Sequence, residues 1–287
     1  MAQHARATSR LRRIDLTVRP EERFHVPQSD GYSVYGALLG VLDEADERVS
    51  EHVHDSPLGS LHSSGLRGAF GGSDRAHHKT VRAGEEYGLT LGIVDPADDE
   101  IFGALVSALV LEGDSLELTN GVLRVESFES ENATHEALLE RAAAADDPTL
   151  DVEFVTPACI EEAGDVTTMF PHRVSVFTSL LGKWNRSCPD ELELDLGRET
   201  IAAGVIAKPE ARAYDTHSVL VNRVGDGEDT RPIFRQGFTG RVEYAFKDAS
   251  ESTHNALTAL ALFGEFSGVG SAVARGCGTV EVGINDG

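Results

Sequence analysis

Cysteine, lysine and long apolar runs are scarce in this chain of 287 residues. Its three cysteines, Cys159, Cys188 and Cys277, are far apart and form no Cys-x-x-Cys pair, so neither a structural zinc site nor a disulfide framework is expected. No stretch approaches the roughly 20 apolar residues of a membrane span. The basic start, residues 1–13, lacks the apolar segment of a secretory signal. We therefore predict a cytoplasmic protein that does not contact membranes and needs neither a metal nor a cofactor.

Positive charge is also scarce, because 48 acidic residues face 25 basic ones and the net charge is −23. Such a charge is typical of halophilic proteins that stay soluble in concentrated salt. It would normally argue against nucleic-acid binding, but the Debye length in molar salt is only about 3 Å, so distant carboxylates hardly repel a phosphate. The same salt weakens binding that depends on counterion release. A nucleic acid would then be held by stacking, close hydrogen bonds and shape.

The order of predicted elements is the same in both halves of the chain. In the first half, the patterns predict a strand at 14–18, a helix from Val34 to Val53, strands at 58–70 and 87–94, a helix at 101–111 and a hairpin at 115–128. In the second half, they predict a strand at 150–154, a helix at 171–184, strands at 201–207, 218–223 and 240–246, a helix at 252–266 and a strand at 279–282. The order β-α-β-β-α-β is ferredoxin-like. We predict an α+β fold of tandem ferredoxin-like, RRM-like domains at 1–130 and 149–287, with a helical linker at 131–148.

The segment from Gly268 to Gly278 carries two Gly-x-Gly pairs, Gly268/Gly270 and Gly276/Gly278. Glycine permits positive φ and close approach of a ligand to the backbone, and successive amides in such turns form an anion site. The segment follows a helix and precedes the last strand, so it is not a dinucleotide fingerprint, and it lacks the Gly-Lys-Ser/Thr of a nucleotide phosphate loop. A phosphodiester site and a tight structural connection both fit this pattern.

Residues 262–280 resemble the C-terminal signature of the CRISPR RAMP endoribonucleases that cut precursor crRNA within its repeats. Three further blocks resemble the family in the same order, namely Thr156-Pro157 with Phe170-Pro171, residues 176–185, and residues 237–244. The resemblance is good over residues 150–284 and loose before them. Together with the acidic composition, it suggests a haloarchaeal-like variant of the family. It implies tandem ferredoxin-like domains and RNA cleavage without a metal, in which the ribose 2′-hydroxyl attacks the phosphate and leaves a 2′,3′-cyclic phosphate.

The resemblance also implies a catalytic histidine just after the first helix of the N-terminal domain, because histidine suits proton transfer near neutrality. His54 is the best match and His52 the alternative, and the two face differently on a helix. A solvated histidine at a helix end explains the same residue without function. The family's tyrosine and lysine have no clear counterpart, since Tyr32 and Tyr35 come early in the helix and the next lysine is Lys79. Lys79, Arg67 or Arg75 are the possible substitutes for that lysine.

The residues expected to hold the RNA are those of the glycine segment and two cations near related blocks: Gly268, Gly270, Ser271, Arg275, Gly276, Gly278, Arg241 and Lys183. The expected partners are CRISPR repeat RNA or precursor crRNA and other subunits of a type I interference complex. Two other hypotheses stay open. One is a non-catalytic RAMP subunit that binds RNA tightly without cutting it. The other is an unrelated tandem ferredoxin-like enzyme acting on a small phosphorylated ligand.

Overall fold

The computed structural model describes residues 10–56, 60–111, 114–163, 166–225 and 230–285. It contains two ferredoxin-like domains in tandem, as predicted. The elements of the first domain are β1 (Leu11–Pro20), β2 (Phe24–Pro27), α1 (Gly31–Ala45), α2 (Glu47–Asp55), β3 (Leu61–Ser63), β4 (Arg67–Gly68), β5 (Gly71–Gly72), β6 (His78–Val81), β7 (Tyr87–Ile93), α3 (Asp98–Val106) with a π-helical turn at Ser107–Leu111, β8 (Ser115–Leu118) and β9 (Gly121–Ala133).

The main sheet of the first domain has the strand order β3-β7-β1-β9-β8, with β1 at its centre. Strand β1 alternates buried and partly exposed residues, and it pairs antiparallel with β7 (Ile14 opposite Leu91) and with β9. This alternation is the period of two that places one side of a strand in the core. Val34, Leu38 and Leu42 of α1 complete the same buried cluster. The first domain therefore has its own core between the sheet and its helices.

The prediction of one continuous helix from Val34 to Val53 is wrong, because the helix is interrupted at Asp46. The backbone of Asp46 is extended (φ −160°, ψ 106°), and its side chain accepts a hydrogen bond from the amide of Arg48 at 3.0 Å. Asp46 is thus the N-cap of α2, a position that aspartate favours. The Ser50 hydroxyl donates to the carbonyl of Leu39 at 3.2 Å. Helix α2 therefore folds back against α1.

The second domain repeats the topology with the sheet order β13-β15-β10-β16. Its elements, after the connecting helix α4 (His135–Ala143), are β10 (Thr149–Ala158), β11 (Ile160–Ala163), β12 (Val166–Thr168), α5 (Arg173–Ser187), α6 (Arg198–Gly204), β13 (Val205–Pro209), β14 (Asp215–Val224), β15 (Arg231–Phe246), α7 (Glu251–Ser267) and β16 (Val280–Asn285), with 3-10 turns at Asp190–Leu192 and Val273–Arg275. Trp184 of α5 is fully buried beside Phe263 of α7. His135 of α4 packs edge-on against the same indole.

Two predicted strands differ from the structure. Residues 201–204 of the predicted strand at 201–207 belong to α6, and the strand begins at Val205. A short apolar run does not distinguish a strand from a buried helical turn, which explains this error. The predicted strand at 58–70 begins among residues outside the described ones and is then divided into β3 and β4 by Gly65, whose φ is +66°. Both short strands pair with β7.

Helix α7 joins the two domains, because it also packs against the first sheet. A side-chain carbon at Gly92 of β7 would overlap the carbonyl oxygen of Phe266, so the sheet and the helix meet at their backbones. Arg67 pairs with Glu281 across the same interface at 3.2 Å. No helix among the described residues is long and apolar enough to cross a membrane.

Candidate functional site

The glycine segment between α7 and β16 adopts the backbone conformation that its sequence predicts. The φ angles of Gly268, Gly270, Gly276 and Gly278 are +61°, +88°, +85° and +74°. Ala272 also has a positive φ, +56°, and it precedes the 3-10 turn Val273–Arg275. Only glycine takes such angles without a steric penalty. The four glycines therefore allow the chain to turn sharply twice before it enters the last strand.

The same glycines bring the segment into close contact with the rest of the protein. A side-chain carbon at Gly268 would lie 2.9 Å from Cδ2 of His62, and one at Gly276 would lie 2.9 Å from Cα of Gly31. His62 and Gly31 belong to the N-terminal domain, so this segment forms part of the domain interface. Bulky residues at these glycines would disturb packing, whatever their effect on a ligand.

The backbone amides of the glycine segment largely donate to the protein itself. The amide of Val269 donates to the carbonyl of Gly278 at 2.8 Å, and that of Gly278 donates to the carbonyl of Pro157 at 3.0 Å. The amide of Ser271 donates to the carbonyl of Cys159 at 2.7 Å. These bonds hold the segment against β10 and the β11–β12 hairpin. Residues 270–275 of the segment border a cleft between the two domains.

A cleft of about 340 Å³ lies where this segment meets the N-terminal domain, and we call it the His54 cleft. Its wall combines residues of both domains: Tyr35, Val53, His54, Ser56 and Leu61 from the first, and Lys183, Arg186 and residues 270–275 from the second. A concave site at a domain interface that combines apolar walls with a few polar groups is where ligands usually bind. The structure thus brings together one predicted catalytic histidine and several of the predicted RNA contacts.

His54 reaches this cleft because α2 folds back on α1. The antiparallel packing of the two helices places His54, on the last turn of α2, near Tyr35 of α1. Burial raises the pKa of the Tyr35 phenol, although the nearby Arg275 guanidinium opposes this shift. The phenol is therefore a neutral hydrogen-bond donor near neutrality. From the sequence, Tyr35 lies too early in the helix to accompany a histidine at position 54, and only the break at Asp46 brings them together.

His52 faces a different part of the surface. Its Nε2 lies 3.0 Å from Oδ1 of the buried Asp95, which also accepts a hydrogen bond from the amide of Ala97 at 2.8 Å. The cleft around His52 is lined by acidic residues, among them Glu51 and Glu100. His52 therefore connects α2 to the start of α3, in surroundings that disfavour a phosphate. The two histidines of the His-x-His sequence do not share a site.

The cations of the His54 cleft come from the C-terminal domain. Lys183 is buried, and its Nζ donates to the carbonyls of Ser267 at 3.0 Å and Gly268 at 2.8 Å. Burial lowers the pKa of Lys183 to about 7, and the neighbouring charge of Arg186 contributes in the same direction. Arg275 donates to the carbonyl of Val221 at 2.9 Å and stands over the ring of Tyr35. Arg186 is exposed at the edge of the cleft.

The other candidate cations lie elsewhere. Arg241 is on the outer face of the second sheet, where Asp151 accepts from its Nε at 2.8 Å and raises the pKa of the guanidinium. Lys79 pairs with Asp30 at 2.9 Å, and Arg67 pairs across the interface as described above. Arg75 lies in an exposed turn before β6. Among the residues that the structure describes, the three substitutes suggested for the missing lysine do not line the His54 cleft.

His62 is a residue whose position the sequence did not reveal. It lies in β3, fully buried against the glycine segment, and its Nε2 is 3.0 Å from the hydroxyl of Thr279. Burial lowers its pKa to about 3, with smaller contributions from Lys183 and nearby arginines. His62 is therefore neutral near neutral pH and belongs to the domain interface. In the sequence, His62 follows His52 and His54 closely, and nothing in the pattern distinguishes its burial from theirs.

The tandem ferredoxin-like architecture places the chain among proteins with a RAMP-like fold. Residues 152–280 match the family model "CRISPR-associated endoribonuclease Cas6", the family that the glycine segment resembles.

Solved structures agree with this match in fold. The chain is similar to Thermus thermophilus Cas6, with 18% identity, 96% of this chain and 99% of the other covered, and a TM-score of 0.63. It is similar to a Cas6 product complex, with 22% identity, 96% and 100% coverage, and a TM-score of 0.64. It is also similar to the product of a Cas6-related gene from Pyrococcus furiosus, with 12% identity, 95% and 98% coverage, and a TM-score of 0.61. A comparison with curated protein sequences gave no match.

Proposed function

We propose that this chain is a Cas6-family endoribonuclease that binds CRISPR repeat RNA and cuts precursor crRNA within its repeats. One observation carries the proposal: His54 from the first domain and the glycine segment of the second domain line the same cleft. The match of residues 152–280 to the Cas6 family model and the shared fold support it. Structures of related Cas6 proteins bound to product or to a substrate mimic are consistent with an RNA ligand.

The proposed reaction is a transesterification within the RNA and uses no metal. The 2′-hydroxyl oxygen attacks the adjacent phosphorus, and its proton passes to a general base. The bond from phosphorus to the 5′-oxygen breaks, and that oxygen takes a proton from a general acid. The products are a 2′,3′-cyclic phosphate and a 5′-hydroxyl. His54 acts as the acid or the base, because an exposed imidazole in the cleft suits either role.

The charge that develops on the phosphorane would be stabilised by cations that the C-terminal domain supplies. Arg275 and Arg186 border the cleft, and Lys183 lies beneath it. In the absence of bulk water such groups stabilise developing negative charge more strongly than they do in solution. The neutral phenol of Tyr35 is placed to donate a hydrogen bond to the same oxygens. Ser271 and the glycines of the segment would shape the turn along which the phosphodiester lies, since most of their amides already donate to the protein itself.

The decisive experiment compares two histidines that are two residues apart on one helix. Repeat RNA is incubated with wild type, His54→Ala and His52→Ala, each with and without EDTA. We expect His54→Ala to lose roughly 10²- to 10⁴-fold in cleavage rate, the usual contribution of a general acid or base. His52→Ala should retain most of the rate, because its contact with Asp95 lies outside the cleft. Full activity of His54→Ala, or loss of wild-type cleavage in EDTA, would refute the mechanism.

A non-catalytic RNA-binding RAMP subunit is the second candidate. It is favoured by one observation, that the described cations of the His54 cleft all come from the C-terminal domain. Tight binding of repeat RNA by the wild type, with no product under any condition, would select this candidate. The cleavage gel described above distinguishes the two functions directly.

We also propose that the protein works in the cytoplasm of a halophilic cell and passes its RNA to subunits of a type I interference complex. The net charge of −23 supports the first part, since such a surface favours solubility at high salt. Cleavage that persists in molar KCl and co-purification with interference subunits would test the two parts separately.

A further inference from the structure

A second groove, of about 260 Å³, lies between α5 and the β11–β12 hairpin, and we call it the Arg186–Arg198 groove. The exposed arginines at its edge, Arg186 and Arg198, form no ion pair with any residue that the structure describes. Other cations of the chain, such as Arg12, Arg19 and Arg241, do pair with a carboxylate. The groove therefore presents two free guanidinium groups on an acidic protein.

The acidic residues of the groove, Glu161 and Glu162, already have partners within the protein. Glu161 pairs with Arg235 at 2.9 Å, and Glu162 accepts a hydrogen bond from the hydroxyl of Ser175 at 2.6 Å. Arg198 is the first residue of α6, the helix end at which the macrodipole disfavours a cation. Local helix stability therefore gives no reason for an arginine at position 198. A bound anion would provide one.

The Arg186–Arg198 groove is continuous with the His54 cleft. Four residues line both: Lys183, Arg186, Gly270 and Ser271. Hydroxyl groups are also available in the groove. Thr178 Oγ1 is buried and has no hydrogen-bond partner within the described part of the chain. Ser179 accepts from the amide of Gly270 at 3.0 Å and keeps its own proton to donate.

We propose that the Arg186–Arg198 groove is a phosphate subsite for a neighbouring nucleotide of the RNA strand whose scissile phosphate lies in the His54 cleft. The inference rests on the proposed function and adds to it the path of the strand, over Ser271 and towards α6. Guanidinium groups bind phosphate oxygens through two parallel hydrogen bonds, and the free hydroxyl of Thr178 supplies a further donor. Holding a flanking phosphate in this groove would set which phosphate reaches His54.

The test uses repeat RNA with a 2′-deoxy residue at the cut, so that binding is measured without cleavage. Kd is determined over a KCl series for wild type, for the double variant Arg186→Ala/Arg198→Ala, and for Arg23→Ala, which removes an exposed arginine in the N-terminal domain. We expect the double variant to bind roughly 10- to 100-fold more weakly, because charge-assisted hydrogen bonds to the phosphate are removed. Its slope of log Kd against log salt should fall by about 0.7 for each phosphate that the protein no longer neutralises. Arg23→Ala should match the wild type in both.

A second arm locates the phosphate by replacing single phosphates near the cut with neutral methylphosphonates. Wild type should lose affinity at one flanking position, and the double variant should show no further loss there. An unchanged Kd and salt slope in the double variant, while the wild type still binds and cuts repeat RNA, would overturn this inference alone. Failure of the wild type to bind or cut repeat RNA would overturn the proposed function, and this inference with it.

Discussion

Acidification should destabilise this protein through His62, because the folded state holds that imidazole neutral. The pKa of His62 is about 3 in the folded state and about 6.5 in an unfolded chain. Between pH 6.5 and about pH 3 the unfolded state binds more protons than the folded state, so the free energy of unfolding falls as the pH falls through this range. Below about pH 3 both states are protonated at His62, and this group causes no further decrease. At 1.36 kcal/mol per pKa unit the whole effect is about 5 kcal/mol. Between pH 7 and pH 5 it amounts to about 2 kcal/mol.

The assay is urea unfolding at constant KCl, with the free energy of unfolding measured at pH 7 and at pH 5. Other groups titrate in the same range, so the informative quantity is the difference between wild type and His62→Gln. Glutamine is neutral at both pH values, and we expect that variant to lose about 2 kcal/mol less than wild type over this interval. His54→Gln removes an exposed histidine and serves as the control for loss of an imidazole outside the domain interface. Equal pH dependence in wild type and His62→Gln would refute the assignment of His62 as a buried neutral residue.

Two further predictions concern the glycine segment. Gly278→Ala should lower the free energy of unfolding by more than about 2 kcal/mol in urea titrations. The reason is that φ at Gly278 is +74° and a side-chain carbon there would overlap a carbonyl oxygen of the same segment. A decrease below about 0.5 kcal/mol would contradict this packing. The Cys159 and Cys277 thiols are both buried with their sulfurs 3.8 Å apart, so the oxidant diamide should join them and reduce the protein mass by two hydrogen atoms. Cys277→Ser should abolish that mass loss, and its persistence in this variant would show that other thiols react.

Much of the fold could be predicted because the strands alternate and the long helices carry apolar stripes. The α7 helix and the strands β1, β7 and β10 follow such patterns closely. The break at Asp46 could not be predicted in this way, because the residues around it favour helix on both sides. What decides it is the tertiary packing of α2 against α1. The smallest strands, such as β5 with two residues, are too short for any periodicity to show.

The candidate site was predictable in its parts and only partly in its arrangement. Glycine spacing predicted positive φ angles, since this is a local property of the backbone. The spacing did not show that the amides of the segment donate hydrogen bonds within the protein. Their acceptors, such as the carbonyls of Pro157 and Cys159, lie far away in sequence. The different surroundings of His54 and His52 depend on Asp95, which is also distant. Long-range contacts of this kind leave no trace in the spacing of neighbouring residues.

The close approach of Gly31 and Gly276 constrains how the two domains can evolve. Their backbones meet without a side chain between them, and a side-chain carbon on either residue would press on the backbone of the other domain. A larger residue at one position cannot be accommodated by a smaller one opposite, because glycine is already the smallest. Both positions should therefore stay glycine together in homologous sequences. Chimeras that combine halves from different homologues should assemble only when each half brings its own glycine to this contact.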